Sequence, residues 1–144
     1  MTRPTPPNRN DYPHFLKIPT RWNDNDIYGH VNNAVYYYFI DTVVNCYLIN
    51  NDLLDLKTQK IIGLAVETGC KFFSSIEYPD IVHAGLRITK LGNSSVVFDV
   101  GMFKNDEPTA AAQGHFVHVY VAEKTRRPVK ISDKMREKLT EIVV

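Results

Sequence analysis

Apolar and polar residues alternate with a period of two in five stretches of this chain. In residues 15–22, every second residue from Leu16 to Trp22 lies on one face, opposite two basic residues and Pro19. This pattern predicts a strand. Because Pro19 cannot donate a ladder hydrogen bond, we expect the strand at a sheet edge or with a bulge. The same alternation predicts four more strands, over residues 64–76, 81–91, 96–102 and 110–123.

Residues 33–50 follow helical spacing instead. Apolar residues recur every three or four positions, the remaining positions are also largely apolar or aromatic, and Asp41 is the only formal charge. A helix that is apolar nearly all round is typically buried. Asn32 or Asn33 is suited to cap its N-terminus. A second, short amphipathic helix is predicted over residues 133–141.

The order of these elements predicts the fold. One strand, one buried helix, four strands in a meander and a terminal helix indicate an α+β domain, in which an antiparallel sheet of about five strands wraps around the long helix. Residues 1–13 contain four prolines, which favours a flexible arm, and residues 14–144 are predicted to form a single domain. The second sheet face is predicted to pack on another copy, giving a homodimer or a dimer-of-dimers tetramer; it would carry Gly69, Lys71, Arg87, Phe116 and Tyr120.

Composition narrows the possible functions. The chain has 144 residues and a formal net charge of +1, so no global field attracts nucleic acid or an anionic membrane. No apolar run reaches the roughly 20 residues that span a bilayer. The N-terminal residues lack the apolar core of a signal peptide, and the two cysteines, Cys46 and Cys70, show no metal-binding spacing. We therefore expect a cytoplasmic protein without a metal site.

The densest polar cluster, residues 21–36, lies between the first strand and the long helix. A helix N-terminus presents unpaired N–H groups that stabilise a developing oxyanion. A nearby carboxylate, such as Asp26, can attack a carbonyl or activate water. Asp26 could instead hold an Asx turn, Asp24 could pair with Arg21, and His30 could be a scaffold or a site residue. No Gly-x-Ser-x-Gly motif supplies a competing serine nucleophile.

The run Asp-x-Asp-x-x-Gly-His-Val-Asn-Asn-x-x-Tyr at residues 24–36 resembles the hot-dog-fold acyl-CoA thioesterases, and more narrowly the 4-hydroxybenzoyl-CoA thioesterase-like family. Weaker similarities follow at residues 77–80, 91–95 and 125–128, so the resemblance covers roughly residues 15–142. It implies a hot-dog fold and hydrolysis of acyl-CoA, with no cofactor because coenzyme A is part of the substrate.

The resemblance also implies roles for individual residues. The second aspartate of the motif, Asp26, would be the catalytic carboxylate, and the backbone N–H of Asn33 would polarise the thioester carbonyl. Some relatives carry histidine where this chain has Asn33, whereas His30 lies three residues earlier, so a histidine-assisted mechanism does not simply transfer to His30. His30 nevertheless stays a catalytic candidate. The substrate-binding candidates are Gly29, Asn32, Tyr36, Arg126 and Arg127, the two arginines for the phosphates of coenzyme A.

Two alternatives stay open at this stage. The chain could hydrolyse acyl groups from acyl carrier protein, or it could bind acyl-CoA without catalysis. The sequence also leaves open whether Asp26 acts as a nucleophile or as a general base.

Overall fold

A computed structural model of the protein describes residues 4–54 and 60–144. The long helix α1 covers Asn33–Asn50 and the short helix α2 covers Asp133–Thr140. Five strands form one antiparallel sheet in the order β1-β3-β4-β5-β2, and this sheet packs on α1, which confirms the predicted α+β hot-dog fold. The strands are β1 (His14–Pro19), β2 (Ile61–Phe72), β3 (Ile81–Leu91), β4 (Ser95–Lys104) and β5 (Ala112–Ala122).

The predicted meander of four strands is wrong at its first strand. Only β3, β4 and β5 follow one another in the sheet, whereas β2 pairs with β5 at the far edge. Residues 73–80 form the connection from β2 to β3, which is long enough to cross from one sheet edge towards the other, unlike the tight turn of residues 92–94 between β3 and β4. The predicted strand 64–76 therefore ends at Phe72, and Ile76 lies in the crossover connection.

A β-bulge changes which residues of β2 face the helix. The pairing with β5 shifts between Ala65 and Glu67, so the alternation of inward and outward side chains reverses at Val66. Gly63 lies opposite Tyr120 before the bulge, and Thr68 lies opposite Phe116 after it. A single strict alternation along β2 could not predict this reversal.

Helix α1 lies on the face of the sheet that carries the main core. Its side chains pack on those of β3, β4 and β5, and Phe39 and Val43 are completely buried. Phe116 and Tyr120 also point into this core. Their predicted place on the opposite, oligomer-forming face is therefore wrong, because the residues of β5 that pair with the inward side chains of β4 are the even-numbered ones.

The opposite face of the sheet is covered in part by the N-terminal residues. Tyr12 is buried there against Phe103, and its hydroxyl donates to Asp99, which also accepts from Arg87 at 2.6 Å. The Arg9 N–H donates to the carbonyl oxygen of Pro108 at 2.9 Å. These contacts attach residues 9–12 to the sheet, while the division of the chain into an arm and a domain stays a prediction. Within the described ranges, no helix is long and apolar enough to cross a membrane.

Candidate active site

Residues 20–32 connect β1 to α1, and a tight turn within this connection carries Asp26 and His30. Asn25 pairs with Val31 in an isolated antiparallel bridge, and inside it the Asp26 N–H donates to the His30 carbonyl oxygen at 2.8 Å. Gly29 has a φ of +79°, and a Cβ there would meet nothing within 4 Å. Glycine is therefore favoured at this position by its backbone conformation rather than by crowding.

Asp24 has a structural role in this turn. It is 1% exposed, it accepts hydrogen bonds from the Arg21 backbone N–H at 2.7 Å and from the Arg21 guanidinium at 2.9 Å, and its carbonyl oxygen accepts the Asn32 N–H at 2.8 Å. Its carboxylate is therefore engaged by Arg21, as predicted, while its backbone carbonyl ties this end of the connection to Asn32.

Asp26 is half-buried, and its two carboxylate oxygens differ in their contacts. Oδ1 accepts the Tyr28 N–H at 2.8 Å and, at a longer 3.4 Å, the His30 N–H. This is the local hydrogen bonding of an Asx turn. Oδ2 has no hydrogen-bond partner among residues 4–54 and 60–144. One oxygen thus orients the carboxylate, and the other is available to a substrate or a water molecule.

Helix α1 begins at Asn33 with one backbone donor unused. Asn32 is the N-cap, because its side-chain Oδ1 accepts the Ala34 N–H at 2.9 Å. Its carbonyl oxygen accepts the Val35 N–H, also at 2.9 Å. The Asn33 N–H donates to no group in the described part of the chain. It carries the partial positive charge of a helix N-terminus and lies beside Asp26 in one cleft.

The second wall of this cleft comes from the crossover between β2 and β3. The Val31 N–H donates to the Ile76 carbonyl oxygen at 2.7 Å, and the Tyr78 N–H donates to the Asn25 side chain at 3.1 Å. These bonds hold the crossover against the turn that carries Asp26. The resulting open cleft has a volume of about 370 Å³, and its lining includes Asp26, His30, Asn33, Tyr36, Phe72 and Phe73.

Two further lining residues, Ser74 and Ser75, were not predicted as site residues from the sequence. Their place in the cleft depends on the route of the chain from β2 to β3. The sequence pattern did not show that route, because it suggested that the strand continues to Ile76. The only available signal was the polar Ser-Ser pair directly after Phe73, which is equally typical of an ordinary loop.

Tyr36 contributes a neutral, buried hydroxyl to the cleft. It is 3% exposed, and its ring packs edge-on against Phe72 with 4.9 Å between the centroids. Burial raises the pKa of Tyr36, and nearby Cys70 and Asp26 add to this effect, while a hydrogen bond from the Ile76 backbone opposes it. The hydroxyl therefore stays protonated at neutral pH and can donate a hydrogen bond.

His30 lies at the cleft, but only its backbone contacts Asp26. Its N–H and carbonyl oxygen both bond with that residue, whereas its exposed ring has no hydrogen bond to any described residue. The structure therefore brings His30 next to the predicted catalytic carboxylate without giving its imidazole a positioned partner.

Arg126 and Arg127 lie far from Asp26 within one chain. Both are exposed in the turn after β5, where Arg126 has a φ of +61°. The cleft adjoins Phe72, which pairs with Ala112 at the start of β5, whereas the arginines follow Ala122 at its end. The 11 residues of β5 span roughly 35 Å. A single chain thus does not place these two arginines at its own cleft.

Within residues 4–54 and 60–144, no group of three or more histidine, cysteine, aspartate and glutamate side chains is arranged to hold a metal ion. The cleft instead combines a carboxylate, a free helix N-terminal donor and apolar walls. This arrangement is suited to polarising a carbonyl group and delivering an oxygen nucleophile to it.

Comparison with known proteins identifies relatives of the whole chain. The sequence profile of the thioesterase-like superfamily matches residues 20–139. The PA5185 protein from Pseudomonas aeruginosa strain PAO1 is 45% identical, with 96% of this chain and 97% of that chain covered and a TM-score of 0.93. The PA2801 protein from the same species is 26% identical over 86% of this chain and 95% of its own, with a TM-score of 0.80.

A more distant structure shares the fold alone. Slr0204, a 1,4-dihydroxy-2-naphthoyl-CoA thioesterase from Synechocystis, is 14% identical and has a TM-score of 0.81, with 89% of this chain and 96% of that chain covered. No curated protein matches the chain.

Proposed function

Because this chain belongs to the thioesterase-like superfamily, we propose that it hydrolyses acyl-CoA thioesters to a free carboxylic acid and coenzyme A. The observation that carries this proposal is the pairing of Asp26, which has one unbonded carboxylate oxygen, with the unused Asn33 N–H in one cleft. The first group supplies or activates an oxygen nucleophile, and the second stabilises the negative charge that develops on the thioester oxygen.

In the proposed mechanism the thioester carbonyl oxygen accepts a hydrogen bond from the Asn33 N–H. Oδ2 of Asp26 then either attacks the carbonyl carbon, giving a mixed anhydride that water hydrolyses, or takes a proton from a water molecule that attacks instead. In both routes the C–S bond breaks, the thiolate of coenzyme A takes up a proton, and one water molecule is consumed. Tyr36 lines the site, whereas Gly29 and Asn32 are not part of its lining: Gly29 permits the turn that carries Asp26, and Asn32 caps the helix that begins at Asn33. The His30 backbone orients Asp26.

The test is a hydrolysis panel of short, long and aromatic acyl-CoA substrates, read by release of the free thiol. Asp26→Asn keeps the size of the side chain but removes the nucleophile or base, so we expect kcat to fall by about 10²- to 10⁴-fold. The matched control is Asp106→Asn, which removes an exposed carboxylate from the loop between β4 and β5 and should leave kcat unchanged. Full activity in Asp26→Asn would contradict the proposed role of this residue.

The same panel separates the two alternatives. Turnover of acyl carrier protein substrates with none on free acyl-CoA would favour a carrier-specific hydrolase. Binding of acyl-CoA without turnover on any substrate would favour a non-catalytic binding domain. The free Asn33 donor supports hydrolysis over binding alone, because a preorganised helix N-terminal N–H is suited to stabilising the charge that develops on a thioester oxygen during reaction.

We also propose that the active form is a homodimer or a dimer of such dimers. The outer edge of β2 has no partner strand in the described chain, and exposed apolar side chains of β2 lie along it, including Ile61, Val66 and Phe72. An unpaired edge of 12 residues is a template for a second strand. Light scattering at micromolar concentration should give the mass of two or four chains, and a monomer would contradict this assembly.

Antiparallel pairing of two β2 edges would also give Arg126 and Arg127 a role. In such a pair, the Ile61 end of one β2 lies beside the Phe72 end of the other. Arg127 is held near the Ile61 end, because its carbonyl oxygen accepts the N–H of Ala122, the partner of Ile61. We therefore propose that these arginines bind the phosphates of a coenzyme A molecule held in the cleft of the second copy.

A further inference from the structure

A second cavity lies at the opposite end of α1 from the Asp26 cleft. Its volume is about 210 Å³, and its walls come from α1, β2, β5 and the segment that leads into α2. Leu48, one of its lining residues, is roughly 22 Å along the helix axis from Asn33. The cavity is thus separate from the catalytic cleft of the same chain. Its walls are largely apolar and include Leu48, Leu53, Leu54, Ile131 and Met135.

Two buried side chains of this cavity each carry a polar atom that has no hydrogen-bond partner among residues 4–54 and 60–144. His118 is 5% exposed and Tyr120 is 4% exposed, and both line the cavity. In the described part of the chain, neither Nδ1 of His118 nor the hydroxyl of Tyr120 is paired. Buried polar atoms in folded proteins are nearly always hydrogen-bonded to protein, water or a ligand. These two atoms therefore lack the partner that their burial requires.

Gly63 leaves space beside these two side chains. It lies opposite Tyr120 in the sheet and lines the same cavity. A Cβ at this position would lie 3.1 Å from the Tyr120 ring and 3.3 Å from Nδ1 of His118. Any residue other than glycine would therefore crowd the space next to the unpaired nitrogen.

The two unpaired polar atoms of the cavity belong to side chains that are uncharged at neutral pH. Burial lowers the pKa of His118 to about 4 and raises the pKa of Tyr120 to about 12. A neutral imidazole nitrogen accepts or donates according to its tautomer, and a phenol hydroxyl does both. The other polar lining residues have partners of their own or are exposed: the Asn45 amide donates to Asp41, the Ser132 hydroxyl accepts the Met135 N–H, and Lys130 is exposed. The cavity thus favours a neutral polar group over an ion.

We propose that this cavity binds one small uncharged alcohol or phenol, whose hydroxyl group bonds with Nδ1 of His118 and the hydroxyl of Tyr120. The volume supports a ligand with a single ring, because an apolar protein cavity of about 150 Å³ accommodates benzene. The apolar walls bury the ring, and the two unpaired atoms select the hydroxyl. This site lies at the opposite end of α1 from the Asp26 cleft of the same chain.

The test uses phenol as the probe and toluene as a comparator without the hydroxyl. Phenol added to the full chain should shift the amide NMR signals of Gly63, Leu48 and Met135, and the same shifts should occur in Asp26→Asn. In Tyr120→Phe, which removes only an unpaired hydroxyl, the affinity for phenol should fall about tenfold while that for toluene changes less than about twofold. In Gly63→Ala, both ligands should bind more weakly, because the added methyl group fills the space beside the two polar atoms.

Three results would overturn the proposal. The first is an absence of shifts at these three amides at phenol concentrations up to about 10 mM, in the range of weak binding. The second is an equal loss of phenol and toluene affinity in Tyr120→Phe. The third is unchanged phenol affinity in Gly63→Ala with an otherwise native spectrum.

Discussion

At the scale of single residues, the proposed oxyanion donor is a backbone group that proline can remove. Asn33 is the first residue of α1, and this is the helix position at which proline is well tolerated, because no intrahelical bond is lost there. Asn32 has a ψ of 140°, which is compatible with a following proline. We expect Asn33→Pro to fold normally and to lose about 10²- to 10³-fold in kcat, the effect of removing one oxyanion donor.

The matched control for this variant is Asn33→Ala. It removes the side chain and keeps the backbone N–H, so its kcat should stay close to that of the unaltered protein. Circular dichroism and urea unfolding check that both variants keep α1. Loss of activity in Asn33→Ala of the same size as in Asn33→Pro would assign the effect to the side chain and contradict the proposed donor.

A second prediction at the scale of single residues concerns His118, whose titration makes the stability of the fold depend on pH. Burial lowers its pKa in the folded state to about 4, whereas an unfolded histidine titrates near about 6.5. Between these values the unfolded state binds a proton that the folded state does not, so stability falls as the pH drops from about 6.5 towards 4. The contribution of His118 to the free energy of unfolding should decrease by about 2 kcal/mol when the pH is lowered from 7.5 to 5.0.

Urea unfolding of the protein and of His118→Gln at these two pH values tests this prediction. His14 and His83 act in the same direction, because burial lowers the pKa of each, so the variant is needed to isolate His118. We expect the loss of unfolding free energy on acidification to be smaller in His118→Gln. An equal loss in both proteins would show that His118 titrates normally when folded.

At the scale of elements, the local patterns predicted most of the fold. The helix bounds of residues 33–50 agree with the structure because apolar spacing and the Asn32 cap are both local signals. The pairing of β2 with β5 was not predicted, because it depends on a crossover connection and a bulge at Val66. Alternation along one strand carries no information about which neighbour that strand will have.

Close contact between α1 and the sheet gives a stability prediction at this scale. A Cβ on Gly114 of β5 would clash with the side chain of Ile40 in α1, which is completely buried. We expect Gly114→Ala to lower the free energy of unfolding in urea by about 1–3 kcal/mol, the usual cost of overpacking a core.

Gly69→Ala is the matched control for this prediction. Gly69 also lies in the sheet, but the nearest atoms to its Cβ would belong to the His115 side chain, which is exposed and can move. The free energy of unfolding should therefore fall by less in Gly69→Ala than in Gly114→Ala. Equal destabilisation by the two substitutions would indicate a general loss of strand stability rather than a helix-packing effect.

At the scale of the whole molecule, the sequence predicted the residues of the turn before α1 better than the walls of the cleft around it. Asp26, Gly29 and Asn33 are close in sequence; Asp26 and Gly29 lie in the turn before α1, and Asp26 and Asn33 line one cleft. Ser74 and Ser75 reach the cleft only through the crossover, so no local motif includes them. Arg126 and Arg127 were predicted to bind substrate, but in one chain they lie at the far end of β5, so the proposed role in binding coenzyme A would need a second copy.

Mixed dimers test whether the arginines act on the partner's cleft. One chain carries Asp26→Asn, and the other carries Arg126→Ala together with Arg127→Ala. We expect each homodimer to hydrolyse acyl-CoA poorly at low substrate concentration. The Asp26→Asn homodimer should have a lower kcat, and the double arginine homodimer should have a higher KM. In a mixed dimer, one cleft combines an intact Asp26 with intact arginines from the other copy. Random exchange of the two chains should therefore restore about a quarter of the original kcat/KM, since half of the dimers then carry one complete site.

A second substrate isolates the effect of binding the phosphates. This substrate is the pantetheine thioester of the same acyl group, because pantetheine lacks the nucleotide phosphates of coenzyme A. Its hydrolysis should not depend on Arg126 or Arg127, so the double arginine variant should turn it over at the original rate. If the arginines instead served the cleft of their own chain, mixing would restore no acyl-CoA activity, because no cleft would then combine Asp26 with both arginines. Recovery on mixing would assign each complete active site to two copies of the chain joined along β2.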